Sequence, residues 1–338
     1  MRIVPSGRTT LALVAVALGG FAVVGPAPKA DSGFVLDVRP IPLEPRDPSR
    51  QDVGSLRYRG GLWLHSDDHR FGGLSDVRVT AGGELVAISD CGYAFTGRLR
   101  YDEGGTLAGL DEARLFPLLG LGGRPLARTD VDAEALLADG SSYVVSFEGH
   151  HHLWRYPAQP PLEGTPTLFS TPADLANCGS NQGIEAAVRL ADGRYLLVSE
   201  GPSPPRSAPA WIGTEGHWTG FAWPLFFADD APASFNPTGA ALLPDGDVLV
   251  VERRYPALAA RLRRIDAEAI ARLDFTGTEV ARLAAPLNVD NFEGIEVLRG
   301  PRGETRVLLI SDDNDCVKRG GIRTGLQRTL VMLFDLVG

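Results

Sequence analysis

The stretch NQGIEAAVRLADGRYLLVSEG, residues 181–201, passes from a polar start through an apolar run, an Asp-Gly turn and a second apolar run to Glu200 and Gly201. It recurs. Related segments are GGLSDVRVTAGGELVAISDCG (72–92), DVDAEALLADGSSYVVSFEG (130–149), NPTGAALLPDGDVLVVERRY (236–255) and NFEGIEVLRGPRGETRVLLISDDN (291–314). Their starts lie about 50–60 residues apart, a spacing that suits repeats built from one small sheet each. Asp139-Gly140, Asp192-Gly193 and Asp245-Gly246 sit between apolar runs, where a tight hairpin requires positive φ.

Further strand-like pieces follow each hairpin, such as HHLWRYPA and PTLFST in the second unit. Four strands per unit is the composition of a propeller blade, so the pattern predicts an all-β, single β-propeller with five visible repeat hairpins. A sixth blade drawn from the N-terminal segment is the alternative. The last unit is short of a strand, while FVLDVRPIPL and SLRYRGGLWL precede the first hairpin; an N-terminal strand is therefore expected to close the ring. A β-sandwich would not need a repeated hairpin with the same polar ends. A mixed α/β fold would need helical windows, and DAEAIARL (266–273) is among the few candidates.

The composition agrees. The chain has 338 residues, with 40 Gly and 25 Pro, favouring turns and short strands. Residues 1–30 carry Arg2 and Arg8, an apolar run from Leu11 to Val24 and a small-residue tail, the pattern of a secretory signal peptide. An uncleaved anchor is the competing reading, and it is the membrane attachment that the sequence offers. The propeller domain is then 31–338, and the protein is expected to be periplasmic or secreted. Without residues 1–30, which hold three of the 33 basic residues and no acid, the net charge moves from −9 to −12. An acidic chain without a basic run argues against nucleic acid as a partner. Cys91, Cys178 and Cys316 allow one disulfide in an oxidising compartment.

Hairpin geometry brings the start of the first strand beside the end of the second, so Asn181 and Glu200 are expected to be neighbours. In a propeller these ends open on one face. That face should collect Ser75, Asp76, Asp132, Glu134, Asn181, Glu185, Asn236, Asn291, Glu293 and Glu296 from first strands. From second strands it should collect Asp90, Glu148, Glu200, Glu252, Asp312 and Asp313. Such a concentration of acid needs an offset. One source is a hard divalent cation, Ca²⁺ first, held by six to eight oxygens. The other is arginine: Arg253 and Arg254 follow Glu252, and Lys318 and Arg319 follow the last acidic run.

The five motifs, from Phe71 to Asn314, also resemble the phytase-like domain family described as "esterase-like activity of phytase". The resemblance implies an exported bacterial β-propeller. The corresponding positions are Ser75 with Asp90, Glu134 with Glu148, Glu185 with Glu200, Arg253 with Glu252, and Glu293 with Asp312, Asp313 and Asn314. Cys91 departs from the family's pattern by standing where a basic residue is usual, and it would share the motif face with Cys316; a disulfide between them, or with Cys178, is possible.

The expected activity is metal-assisted hydrolysis of a phosphoester, or of a carboxylic ester, on a small anionic substrate. Glu185, Glu200 and Arg253 are the candidate catalytic residues; Arg253, Arg254, Ser75 and Asn181 are the candidate substrate contacts. Candidate cation ligands are Asp90, Glu134, Glu148, Glu185, Glu200, Glu293, Glu296, Asp312 and Asp313. No G-x-S-x-G elbow supports a serine esterase. The rival is a periplasmic binding or scaffold propeller with a structural cation. Residues 201–227, rich in Trp and Pro, read as a substrate-facing loop or as blade packing. His150, His151 and His152 cannot all face one way on a strand.

Overall fold

The computed structural model describes residues 33–127, 130–201, 206–227, 234–255, 258–315 and 327–337. The expected signal peptide, Lys318 and Arg319 lie outside them. The N-terminal strands are β1 (Asp37–Ile41), β2 (Asp52–Val53) and β3 (Leu56–His65). Blade one is β4 (Leu74–Val79), β5 (Glu84–Ser89), β6 (Tyr93–Tyr101) and β7 (Leu107–Pro117). Blade two is β8 (Ala133–Asp139), β9 (Ser142–Phe147), β10 (His152–Pro157) and β11 (Thr167–Phe169). Blade three is β12 (Ile184–Arg189), β13 (Tyr195–Ser199), β14 (Ser207–Thr214) and β15 (His217–Pro224).

Blade four joins β16 (Phe226–Phe227) to β17 (Ser234–Leu242), β18 (Val248–Arg254), β19 (Ala259–Ile265) and β20 (Thr278–Ala284). Blade five is β21 (Asn291–Arg299), β22 (Thr305–Asp312) and β23 (Thr329–Leu336), to which β3 and then β1 are added. The protein is thus a five-bladed β-propeller. Its ring is closed as expected: β3 pairs antiparallel with β23, from Leu64 opposite Thr329 to Leu56 opposite Leu336. The window from Asp266 gives a single short helix, Ala267–Ala271.

Local chemistry explains the hairpins. Gly140, Gly193 and Gly246 have φ of 62°, 87° and 96°, the conformation anticipated for the glycine of each Asp-Gly turn. Apolar side chains on both sheet faces then build a core at every blade boundary. Val251 and Leu262 of blade four meet Phe292 and Leu309 of blade five. Leu62 and Val331 of blade five meet Leu74 and Val77 of blade one. Equivalent clusters join blades three to four, one to two and two to three.

The inner strands β4, β8, β12, β17 and β21 surround a channel that is closed by a buried ion pair. Asp76 accepts from the N–H of Val77 at 2.7 Å and of Leu136, in blade two, at 2.8 Å. Arg78 Nη1 lies 3.1 Å from Asp76 and donates to the carbonyls of Val77 (2.6 Å) and Ile295 (2.9 Å). Its Nη2 donates to those of Ala187 (3.3 Å) and Ala240 (3.5 Å). Two side chains therefore bond to all five blades. Burial pushes the Asp76 carboxyl up to about 6 against the pull of Arg78 and the two N–H donors.

Removing one partner of a buried pair leaves the other's charge uncompensated, at a cost of about 3–5 kcal/mol. Arg78→Ala should lose stability of that order in urea unfolding. Asp52→Ala, which breaks an exposed pair with Arg57, should lose less than about 1 kcal/mol. Equal losses would show that the central pair does not hold the ring.

Candidate functional site at the channel mouth

Each hairpin carries the same irregularity. The register shifts between Leu74 and Asp76, Ala133 and Leu136, Ile184 and Ala186, Pro237 and Gly239, and Phe292 and Gly294. A β-bulge adds one residue to a strand and re-aims its side chain. The positions within these shifts include Ser75, Glu134, Glu185, Thr238 and Glu293, all at the channel end where the inner strands begin.

The second strands supply the facing positions. Pairing of Asn236 with Arg253, and of Asn291 with Asp312, aligns Arg253 and Asp312 with Asp90, Glu148 and Glu200, whose N–H groups bond to the residues just before the other inner strands. Blade four is therefore the exception: the mouth position is Arg253, whereas the sequence reading placed Glu252 there. Glu252 points into its blade, fully buried between Arg263 and Arg261, with Arg261 Nη1 at 3.2 Å.

Two groups of side chains form the mouth. Among the described residues, Asp132, Glu134 and Glu148 each offer one carboxylate oxygen, and these lie within 4.8 Å of one another. Glu148 also accepts from Gly183 N–H at 2.6 Å, tying blade two to blade three. In the second group, Arg253 Nη2 donates to Glu200 at 3.1 Å, and its Nε lies 3.3 Å from Glu293. Asn291 Nδ2 donates to Glu293 at 2.7 Å and lies 3.4 Å from Asp312.

Glu185 connects the groups electrostatically. Burial raises its carboxyl well above the usual range, reinforced by Glu200, Glu148 and Glu293 and opposed by Arg253. Burial likewise pushes Glu293 up to about 7, with Arg253 opposing and Asp90 and Glu200 adding to the rise. Asp312 is raised by burial and by Glu293, Asp90 and Asp313. Burial disfavours the charge of Arg253, but Glu293, Glu200, Glu185 and Asp312 outweigh it and raise the guanidinium's pKa.

Several expected site residues lie elsewhere. Glu296 is five residues inside β21, level with Arg78 in the channel plug and 3.6 Å from its guanidinium; burial pushes it up to about 7. It lines a cavity of about 150 Å³ with Leu137, Arg189 and Leu242 at the opposite end of the channel. Asp76 is in the channel plug. Asn181 is exposed ahead of β12, and the residue bonded to Glu200 N–H is Gly183.

Ser75 Oγ donates to Gly73 O at 3.3 Å, a local backbone bond. Arg254 lies over the Phe235 ring, 5.3 Å from its centroid, because strand alternation turns it away from Arg253. Asp313 is a brace between blades five and one, accepting from Gly73 N–H at 2.9 Å and Thr329 Oγ1 at 3.0 Å.

The Trp-rich stretch also resolves as packing. Residues 207–224 form β14 and β15, with Trp211 and Trp223 buried and Trp211 Nε1 donating to Asp174 at 2.7 Å. The three histidines diverge: His150 meets Asp130 at 3.2 Å, His151 meets Gly179 O at 2.9 Å, and His152 stacks on Phe147. Cys91 is disulfide-bonded and Cys178 is free, which removes Cys178 as its partner; Cys316 lies outside the described residues.

Sequence reading missed the plug and the bulges. The alternation Asp76-Val77-Arg78 was the available signal for the plug, since residues two apart share a strand face.

A carboxyl whose folded pKa is raised binds more protons folded than unfolded, so stability is lost as pH climbs from the unfolded pKa through the folded one. For Glu293 that window runs from 4.5 to about 7. In chelator, the melting temperature should fall between pH 5 and pH 8. Glu293→Gln should flatten that fall; an unchanged slope would show that Glu293 does not contribute to it.

Among solved structures, the chain is similar to a luciferin-regenerating enzyme at 11% identity, covering 90% of this chain and 96% of that one, with a TM-score of 0.43. It is similar to the PQQ-bound aldose sugar dehydrogenase of Streptomyces coelicolor at 14% identity, covering 78% and 95%, with a TM-score of 0.42. It is also similar to the calcium-binding protein regucalcin of Agrobacterium tumefaciens at 12% identity, covering 78% and 91%, with a TM-score of 0.41. At such identities the likeness is one of fold alone. No curated protein matches the chain. The Phytase-like family model, "esterase-like activity of phytase", matches residues 69–315, and the chain belongs to that family.

Proposed function

We propose that the protein is an exported hydrolase of small anionic esters, phosphoesters ahead of carboxylic esters, acting at a divalent cation in the channel mouth. The observation that carries this reading is the convergence of Asp132, Glu134 and Glu148 within 4.8 Å beside buried Glu185. That spacing fits Ca²⁺, whose oxygen ligands at about 2.3–2.6 Å place opposite pairs up to about 5 Å apart. A cation bound there would polarise the ester and lower the pKa of a water molecule.

The chain's own groups supply the remaining roles. Glu185, with its raised proton affinity, would take the proton from the attacking water. Glu200, fixed by Arg253, would orient that water. Arg253 would meet the anionic group by exchanging a carboxylate partner for it. Positive charge at this point is needed because the processed chain carries −12 overall. The N-terminal apolar pattern and the oxidised Cys91 support a periplasmic or secreted location.

A binding propeller with a structural cation is the second reading. It is favoured by the engagement of Glu148 and Asp313 with backbone N–H groups of neighbouring blades, a bracing role.

The test is hydrolysis of p-nitrophenyl phosphate and p-nitrophenyl acetate by chelated protein and after adding Ca²⁺, Mg²⁺, Mn²⁺ or Zn²⁺. Metal-restored turnover that falls at least about 100-fold in Glu185→Gln is expected for loss of a general base. A metal-dependent rise in melting temperature without turnover would favour the binding propeller.

A further inference from the structure

Four of the five second-strand positions at the mouth are acidic: Asp90, Glu148, Glu200 and Asp312; blade four alone places a cation, Arg253, in that ring. Its guanidinium lies between carboxylates of both adjacent blades, 3.1 Å from Glu200 of blade three and 3.3 Å from Glu293 of blade five. The side chain is 18% exposed, and Glu200 and Glu293 are 16% and 7% exposed, so solvent screens these charges little. Glu185, from the blade-three bulge, also feels the guanidinium.

We propose that Arg253 is a built-in counter-cation that occupies what would otherwise be a second divalent-cation site formed by Glu185, Glu200 and Glu293, and so confines metal to the blade-two side of the mouth. Carboxylate oxygens from both adjacent blades, Glu200 and Glu293, flank one positive centre, an arrangement that a hard cation also uses. A guanidinium satisfies the same carboxylates with directed N–H groups and cannot be lost by chelation. The geometry makes Arg253 a specificity-determining residue for metal number and position. The blade-two part of this inference rests on the cation reading above; the effect of Arg253 does not.

Calcium stoichiometry measured by isothermal titration calorimetry tests it, with wild type, Arg253→Gln and Arg253→Lys run in parallel. Arg253→Gln should bind one more Ca²⁺ per chain than wild type, and Arg253→Lys should bind the wild-type number. Glu200→Gln added to Arg253→Gln should abolish the gain. An Arg253→Gln chain that binds no more Ca²⁺ than wild type would overturn the proposal.

If Arg253→Gln unfolds in chelator, recovery of its circular dichroism spectrum in millimolar Ca²⁺ supports the counter-cation role, and failure to recover contradicts it. The wild-type count, compared with Glu134→Gln, reports separately on the blade-two site. A wild type that binds no Ca²⁺ therefore defeats the earlier reading without deciding this one, which depends on the difference made by Arg253.

Discussion

The buried pair Asp76 and Arg78 is the constraint on which the ring depends. Five blades packed by apolar side chains alone could slide relative to one another, because hydrophobic contact is non-directional. Hydrogen bonds from one guanidinium to carbonyls in blades one, three, four and five, together with the Asp76 bond to blade two, fix the inner strands at one level. The same plug separates the acidic mouth from the small cavity beside Glu296. The channel is thus a pair of recesses rather than a pore.

Once the inner strands are fixed, the bulges determine what the mouth presents. Inter-blade bonds near the rim add directionality: Glu148 to Gly183, Asp313 to Gly73, and Thr238 Oγ1 to Phe292 O at 3.0 Å. Some mouth acids therefore serve the fold as well as any ligand. Arg253 balances part of the remaining charge. Burial first, and the neighbouring carboxylates after it, raise the proton affinity of Glu185, Glu293 and Asp312, so that ionising them in the folded mouth costs stability.

Much of the fold was legible because its signals are local. Asp-Gly turns, apolar alternation and polar strand ends recur along the chain, and the missing strand of the last blade pointed to closure by the N-terminal segment. The site was less legible because it depends on single-residue register. Glu252 and Arg253 are adjacent in sequence, yet one is buried among arginines and the other stands at the mouth. Glu296 looked equivalent to Glu293, but its place three residues further along the strand carries it away from the mouth to the level of Arg78 in the plug. For Trp211 and Trp223 residue type left ligand contact and blade packing both open, and strand pairing decides for packing, with both side chains buried.

The most direct measurement is the anomalous difference map of crystals grown with Tb³⁺ as a luminescent and strongly scattering substitute for Ca²⁺. A cation-binding mouth predicts a peak within bonding distance of Asp132, Glu134 and Glu148, and none between Glu200 and Glu293, where Arg253 stands. A peak between Glu200 and Glu293 with Arg253 displaced, or an empty mouth at saturating Tb³⁺, would contradict it.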